Sequence, residues 1–239
     1  MNTFLSRALL VATLVLACSF PAAAGVIING TRVIYPAQAR EVTVQLVNTG
    51  DTPALVQAWV DSGNPDQTPE TSTAPFVLTP PISRLEPGRG QAIRVIFSGA
   101  DLPTAQESVF WLNVLEVPPA PDADAAQNYM QVAFRSRIKI FFRPEGLAAT
   151  ANEAPSALQW TVAAGRLRVS NPSAFHVTLV GLTALSGGGG EVATLEQQGR
   201  MLAPGESADW PVTATVAAVA FTTVNDYGGR VELRAAVGP

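Results

Sequence analysis

The chain has 239 residues, enough for two domains of about 100 residues each. With 47% hydrophobic and 14% charged residues it has material for packed cores, which excludes a disordered chain. A formal charge of -4 argues against a general nucleic-acid binder, which is normally basic.

The first residues read as a leader. Met1 to Arg7 carry positive charge, Ala8 to Ala17 are apolar except for Thr13, and Pro21-Ala22-Ala23-Ala24 supplies small residues before Gly25. This is a predicted secretory signal peptide spanning 1–24, cleaved after Ala24. Its apolar run is too short for a stable membrane anchor. Cys18, the only cysteine, falls inside it. A lipid-attachment site at Cys18 is the weaker reading, because a better cleavage site follows directly. The mature chain then has no disulfide, and its stability must come from hydrophobic cores.

Val26-Ile27-Ile28 opens a first strand expected to run on through Thr31-Arg32-Val33-Ile34-Tyr35 to Pro36. Glu41 to Asn48 alternates, with Val42, Val44 and Leu46 on one face. Leu55 to Val60 is the next strand, and its Trp59 is expected between two sheets. Asp61 to Pro75 is polar and proline-rich, a loop. Phe76 to Leu78 precedes Thr79-Pro80-Pro81, a corner compatible with a cis bond. Gln91 to Phe97 and Glu107 to Val117 follow as strands, the second closed by Pro118-Pro119.

Tyr129 to Phe142 alternates over its length. Met130, Val132, Phe134, Ile138, Ile140 and Phe142 share one face, interrupted only by Ser136, while Gln131, Arg135, Arg137 and Lys139 share the other. Period two predicts a strand. At about 3.3 Å per residue it would reach about 45 Å, well beyond an ordinary strand of about 5–6 residues. Part of it should overhang its own sheet and present apolar side chains at an edge, a hazard unless another chain pairs there. Seven or so strands and no amphipathic helix before Pro144 predict an immunoglobulin-like sandwich over 25–144.

Glu145-Gly146 reads as a short hinge, and from Leu147 the pattern restarts. Leu158 to Val162, Arg166 to Val169, His176 to Ala184, Arg200 to Leu202, Ala208 to Val212, Val216 to Thr223 and Val231 to Ala236 predict a second all-β domain over 145–239. Gly187 to Gly190 lacks the Lys-Ser/Thr and helix of a phosphate cradle and reads as a hairpin loop.

Three segments resemble one family, the periplasmic PapD-like chaperones of the chaperone–usher pathway. Leu102-Pro103-Thr104-Ala105-Gln106-Glu107-Ser108-Val109-Phe110-Trp111-Leu112-Asn113-Val114-Leu115-Glu116-Val117-Pro118-Pro119 is similar to the family signature, departing at Ala105, where a polar residue is usual. Arg137 to Pro144 resembles the end of the family's G1 strand, and Asn225-Asp226-Tyr227-Gly228-Gly229 its second-domain motif. Thr79-Pro80-Pro81 and Arg84-Leu85-Glu86-Pro87-Gly88 fit as well.

The resemblance implies an all-β fold of two tandem immunoglobulin-like β-sandwich domains in an L-shaped arrangement. Its partners would be pilus (fimbrial) subunits and an outer-membrane usher, its compartment the periplasm, and it needs no cofactor or metal. The family's two cleft cations map onto Arg32 and Lys139, with Thr31 beside them. They would bind the terminal carboxylate of a subunit through charge-assisted hydrogen bonds. Met130, Val132 and Phe134 would then enter the subunit's groove by strand addition, a mode of which chaperone–pilin donor-strand complementation is a recognised instance. Glu107, Arg143 and Asp226 match an ion network between the family's domains. The segment Ala120 to Asn128, short and without cysteine, resembles the short-loop branch that serves rod-like pili with adhesive tips. Self-association through the exposed strand would be a second use of the same edge.

Two rival readings differ in kind. An enzyme would need a nucleophile, an acid/base pair or a metal cluster. The only histidine, His176, stands beside Phe175 in a strand-like run that favours a structural role, and there is no Gly-x-Ser-x-Gly elbow. A secreted immunoglobulin-like surface adhesin or structural module would have no need for Arg32 and Lys139 to meet.

Overall fold

The computed structural model describes residues 25–120 and 130–238. The expected leader at 1–24, Tyr129 and nearly all of the Ala120–Asn128 segment lie outside the described residues.

The chain up to Arg143 forms nine strands: β1 (Val26–Ile28), β2 (Arg32–Pro36), β3 (Val42–Asn48), β4 (Ala54–Asp61), β5 (Phe76–Thr79), β6 (Ile82–Leu85), β7 (Gly90–Phe97), β8 (Ser108–Val117) and β9 (Phe134–Arg143). One sheet has the order β1-β3-β7-β5, the other β2-β9-β8-β4-β6. Their facing sides bury Val44, Leu46, Val56, Ala58, Val60, Ile93, Val95, Leu112, Val114, Ile140 and Phe142. These positions alternate along their strands, as a sandwich core requires. The Thr79–Pro80 bond is cis.

Three expectations are corrected. The first strand does not run unbroken from Val26 to Tyr35. It divides at Asn29–Thr31, where Gly30 adopts φ 122°, a region that suits glycine because it has no Cβ. There the chain leaves one sheet, where β1 pairs with β3, and joins the other, where β2 pairs with β9. Trp59 does not lie between the sheets. On β4 the even-numbered residues Val56, Ala58 and Val60 face the core. Trp59 is buried on the outer face, where its indole donates to Gln67 O at 3.0 Å beneath the 62–75 loop. The long strand begins at Phe134, not at Tyr129, so Met130 and Val132 precede the ladder.

The second sandwich comprises β10 (Gln159–Ala163), β11 (Arg166–Ser170), β12 (Val177–Leu185), β13 (Glu191–Glu196), β14 (Arg200–Leu202), β15 (Ser207–Pro211), β16 (Ala218–Val224) and β17 (Arg230–Ala236). A short 3-10 helix at Ala154–Ala157 precedes it. The order β10-β11-β15 makes one sheet and β13-β12-β16-β17 the other, with β14 continuing beside β12. The glycine run joins β12 to β13 as a hairpin, closed by Ser186 N donating to Gly190 O at 2.8 Å. Its core gathers Leu158, Trp160, Leu167, Val169, Leu179, Leu182, Trp210, Val219 and Phe221.

Candidate functional site

The site is built on β9, whose two halves differ. Lys139 to Phe142 lie between β8 on one side and β2 on the other, and the parallel β2 pairing runs from Arg32↔Lys139 to Pro36↔Arg143. Among the described residues, Phe134 to Ile138 pair only with β8, from Glu116↔Phe134 to Leu112↔Ile138. The Gly30 bend sets this division, because β2 starts only at Arg32. The outer half of β9 is therefore an open edge. Phe134 is 65% exposed on it, and Met130 and Val132, which precede the strand, are 86% and 46% exposed. Gln131 Nε2 donates to Pro118 O at 2.7 Å, tying this lead-in to the end of β8.

Arg32 and Lys139 stand at the point where the edge closes, as register partners on adjacent strands. Side chains on paired residues of neighbouring strands leave the sheet on the same side, so both cations face the second sandwich. The Arg32 guanidinium is held in place: Nη1 donates to Val224 O of β16 at 3.1 Å. Its carbon lies 5.7 Å from the centre of the Phe141 ring. Its Nε is buried without a hydrogen-bond partner. Burial holds the Arg32 pKa below its ordinary value, against the opposing pull of Asp226 and Glu107. Burial likewise lowers the Lys139 pKa, with further lowering by Arg32 and Arg137. Among the described residues neither Arg32 nor Lys139 forms a salt bridge. A half-buried cation pair with no direct salt bridge among the described residues is chemically suited to an anion, because a carboxylate placed there would offset the mutual repulsion and the cost of desolvation. Thr31 lies against Gly228, at φ 82°, where any side chain would collide with its Oγ1; this lets the 225–229 turn approach β2.

Behind the cations the two sandwiches are joined by a second charged cluster. Arg143 donates from Nε and Nη2 to Glu107 Oε1 at 3.0 and 2.8 Å. It also donates from Nη1 and Nη2 to Asp226 at 2.7 and 3.0 Å. Burial would lower the Arg143 pKa, but hydrogen bonds and attraction from Asp226 and Glu107 raise it overall. The structure thus brings together the Glu107, Arg143 and Asp226 named from sequence. It adds a member that sequence reasoning missed. His176 N donates to Glu107 Oε2 at 3.0 Å, and His176 Nδ1 lies 3.0 Å from the same oxygen. Its ring packs against Phe141, with centroids 5.8 Å apart. Only the strand-like context of His176 hinted at a structural role, and nothing in it pointed to Glu107.

A further cluster on the outer face of the same sheet was also missed. Asp61, fully buried, accepts Arg137 Nε and Nη2 at 2.9 and 2.5 Å, Asn113 Nδ2 at 2.7 Å and Gly63 N at 2.7 Å. Arg137 also stacks over Trp111 at 4.7 Å. Desolvation pushes the Asp61 carboxyl up, but the hydrogen bonds from Arg137, Asn113 and Gly63 outweigh it and hold the pKa below the usual carboxylate value.

Comparison with known proteins reaches both sandwiches. The family model for the pili and flagellar-assembly chaperone PapD N-terminal domain matches residues 25–148, and that for the pili assembly chaperone PapD C-terminal domain matches residues 153–235. The chain is 40% identical to the probable fimbrial chaperone YadV of Escherichia coli K12 over 91% of its length and 92% of the relative's. It is 41% identical to the chaperone protein FimB/FhaD of Bordetella pertussis, over 93% and 92%. Among solved structures, the CupB2 chaperone of Pseudomonas aeruginosa is 38% identical with a TM-score of 0.76, covering 89% of this chain and all of that one. The SafB chaperone of Salmonella enterica, solved in complex with the SafA pilin, is 26% identical with a TM-score of 0.74, covering 89% and 96%.

Proposed function

This chain belongs to the PapD family of pilus-assembly chaperones and is a chaperone of chaperone–usher pilus assembly; on that premise we propose how its own residues do the work. A pilus subunit presents its terminal carboxylate to Arg32 and Lys139, beside Thr31. Each charge-assisted hydrogen bond formed there contributes about 1.5–3 kcal/mol. Anchored at that end, the subunit pairs outward along the open half of β9, and Phe134, Val132 and Met130 fill its groove. The Glu107–Arg143–Asp226 cluster, with His176, fixes the second sandwich so that the cleft keeps its shape. The subunit is then handed to an outer-membrane usher. All of this takes place in the periplasm after removal of residues 1–24, leaving sandwiches at 25–144 and 145–239. Binding and strand addition account for the role, and no catalytic step is assigned.

The observation that carries this reading is the register pair Arg32↔Lys139 at the inner end of a strand that, among the described residues, has one neighbour beyond it. The charges agree with it. Glu107 and Asp226 attract Arg32 and bind Arg143, whereas the charges that act on Lys139 are the cations Arg32 and Arg137. Support also comes from SafB, which shares the fold and was captured holding a pilin. The test uses a peptide copying the last strand of a fimbrial subunit that co-purifies with this chain. The free acid should bind, and the same peptide with its terminus amidated should bind at least tenfold more weakly. Equal binding would exclude the carboxylate anchor.

A further inference from the structure

We infer that Asp61 sets the register of subunit capture by withdrawing Arg137 from competition for the subunit's carboxylate. The inference deepens the anchor reading above and rests on it.

The outward face of β9 carries a ladder of cations, Arg135, Arg137 and Lys139. Consecutive members are two residues apart, about 7 Å along a strand. A slip of one residue would turn the apolar row to the wrong face and is strongly opposed. A slip of two residues keeps every side chain on its proper face, so hydrophobic patterning barely opposes it. Something other than alternation must therefore stop a carboxylate from choosing Arg137 over Lys139.

The structure treats these cations unequally. Arg137 is engaged twice by Asp61, through Nε and Nη2, and lies over the Trp111 ring. Its charge is matched by a fully buried carboxylate that is itself fixed by Asn113 and Gly63. A second carboxylate at Arg137 would meet Asp61 as a like charge. Lys139 and Arg32 have no such partner among the described residues. Arg135 is exposed, donates to Pro65 O at 2.8 Å and sits over Trp59. It lies four residues from Lys139, where solvent and salt weaken its pull on an anion. Along the strand, only the Lys139 level presents a half-buried, unbalanced positive charge.

The test reads register directly. The mature chain has no cysteine, since Cys18 lies in the leader, so single engineered thiols report cleanly. A disulfide needs Cα atoms about 4.4–6.8 Å apart, which a two-residue slip exceeds at most positions. Ser136→Cys on the open edge is paired with single cysteines placed along the groove strand of a fimbrial subunit that co-purifies with the unaltered chain. With Asp61 intact, one groove position should cross-link. In Asp61→Asn a second cross-link should appear two residues away. Lys139→Ala should lose capture, and Asp61→Asn added to it should restore capture in the slipped register alone. The paired change Asp61→Asn with Arg137→Met removes both charges without leaving either buried alone. It should capture normally with the single native cross-link, and it serves where Asp61→Asn by itself does not fold. An unshifted cross-link in folded Asp61→Asn would overturn the inference while leaving the anchor intact, and so would loss of capture by the paired variant. Full capture by Lys139→Ala would instead remove the anchor reading, and this inference with it.

Discussion

The guanidinium of Arg32 rests over the ring of Phe141, 5.7 Å from its centre, and on the same ring the imidazole of His176 packs from the second sandwich. Phe141 is 3% exposed, so neither partner can move without repacking it. One buried aromatic on the inner half of β9 thus links an anchoring cation to the interdomain cluster, because His176 also bonds Glu107. The cleft cations are held by packing before any subunit arrives, and preorganisation of this kind lowers the entropy cost of binding.

The first consequence concerns the cations themselves. Arg32→Ala or Lys139→Ala removes a half-buried positive charge that burial already disfavours. Each variant should therefore fold; Lys139→Ala should melt close to the native temperature, and Arg32→Ala lower, because it also loses the bond to Val224 O and the packing on Phe141. Loss of one charge-assisted contact of about 1.5–3 kcal/mol corresponds to about a 10- to 150-fold loss of affinity. Co-purification of a subunit from periplasmic extracts, together with a thermal melt of each variant, checks both halves of the expectation.

Phe134→Glu addresses the donor strand. The side chain is 65% exposed, so the change costs the free protein little packing, and repulsion from Glu116 opposite it on β8 adds only about 0.2–1 kcal/mol. In a subunit groove the same carboxylate would be buried without a partner, at a cost of several kcal/mol. Folding should be preserved and subunit rescue lost, as measured by subunit survival during co-expression. Undiminished rescue would remove Phe134 from the donor set.

Glu107→Ala addresses the joint between the sandwiches. Glu107 is 2% exposed and accepts hydrogen bonds from Arg143 and from the His176 backbone. Without it, Arg143 keeps only Asp226 and the His176 N–H loses its acceptor. Breaking a buried, hydrogen-bonded pair on one side costs about 3–5 kcal/mol. Calorimetry should show a lower melting temperature and a wider separation between the unfolding of the two sandwiches.

What could be read from the chain followed from local periodicity and from motifs. Alternation marked β3, β4, β7, β8 and most strands of the second sandwich, and the motif matches named Arg32, Lys139, Glu107, Arg143 and Asp226 before any geometry was known. The misses have different physical causes. β6 is short, pairs among the described residues only with β4 and leaves Ile82 exposed at the edge, so its pattern does not separate inside from outside. Val26 to Tyr35 alternates well enough to look like one strand, and only the backbone at Gly30 shows that it serves two sheets. Trp59 reads as core because tryptophan is apolar, yet the parity of Val56, Ala58 and Val60 sends it outward. Asp61 reads as the first residue of a loop, while its partners Asn113 and Arg137 lie 52 and 76 residues away. No local pattern encodes such a contact.

Asp61 also gives the fold a defined acid response. Its folded-state pKa lies below the ordinary value of 3.8, held there by Arg137, Asn113 and Gly63 against desolvation. A carboxylate depressed in the folded state binds protons more readily when unfolded, so its stabilisation is complete above the unfolded value. That stabilisation disappears as pH falls through the lower folded-state value. Asp61→Asn keeps the shape and an acceptor for Gly63 N but removes the charge that balances Arg137. At neutral pH the variant should be less stable by about 3–5 kcal/mol, the cost of breaking a buried pair from one side. As pH drops below 3.8 the native protein loses this contribution and the variant, having none to lose, does not, so their denaturation midpoints should converge. Urea titrations at neutral pH and at successive steps into the acid range measure that gap. A gap that stays constant with pH would show that Arg137 does not depend on the charge of Asp61 for its place on β9.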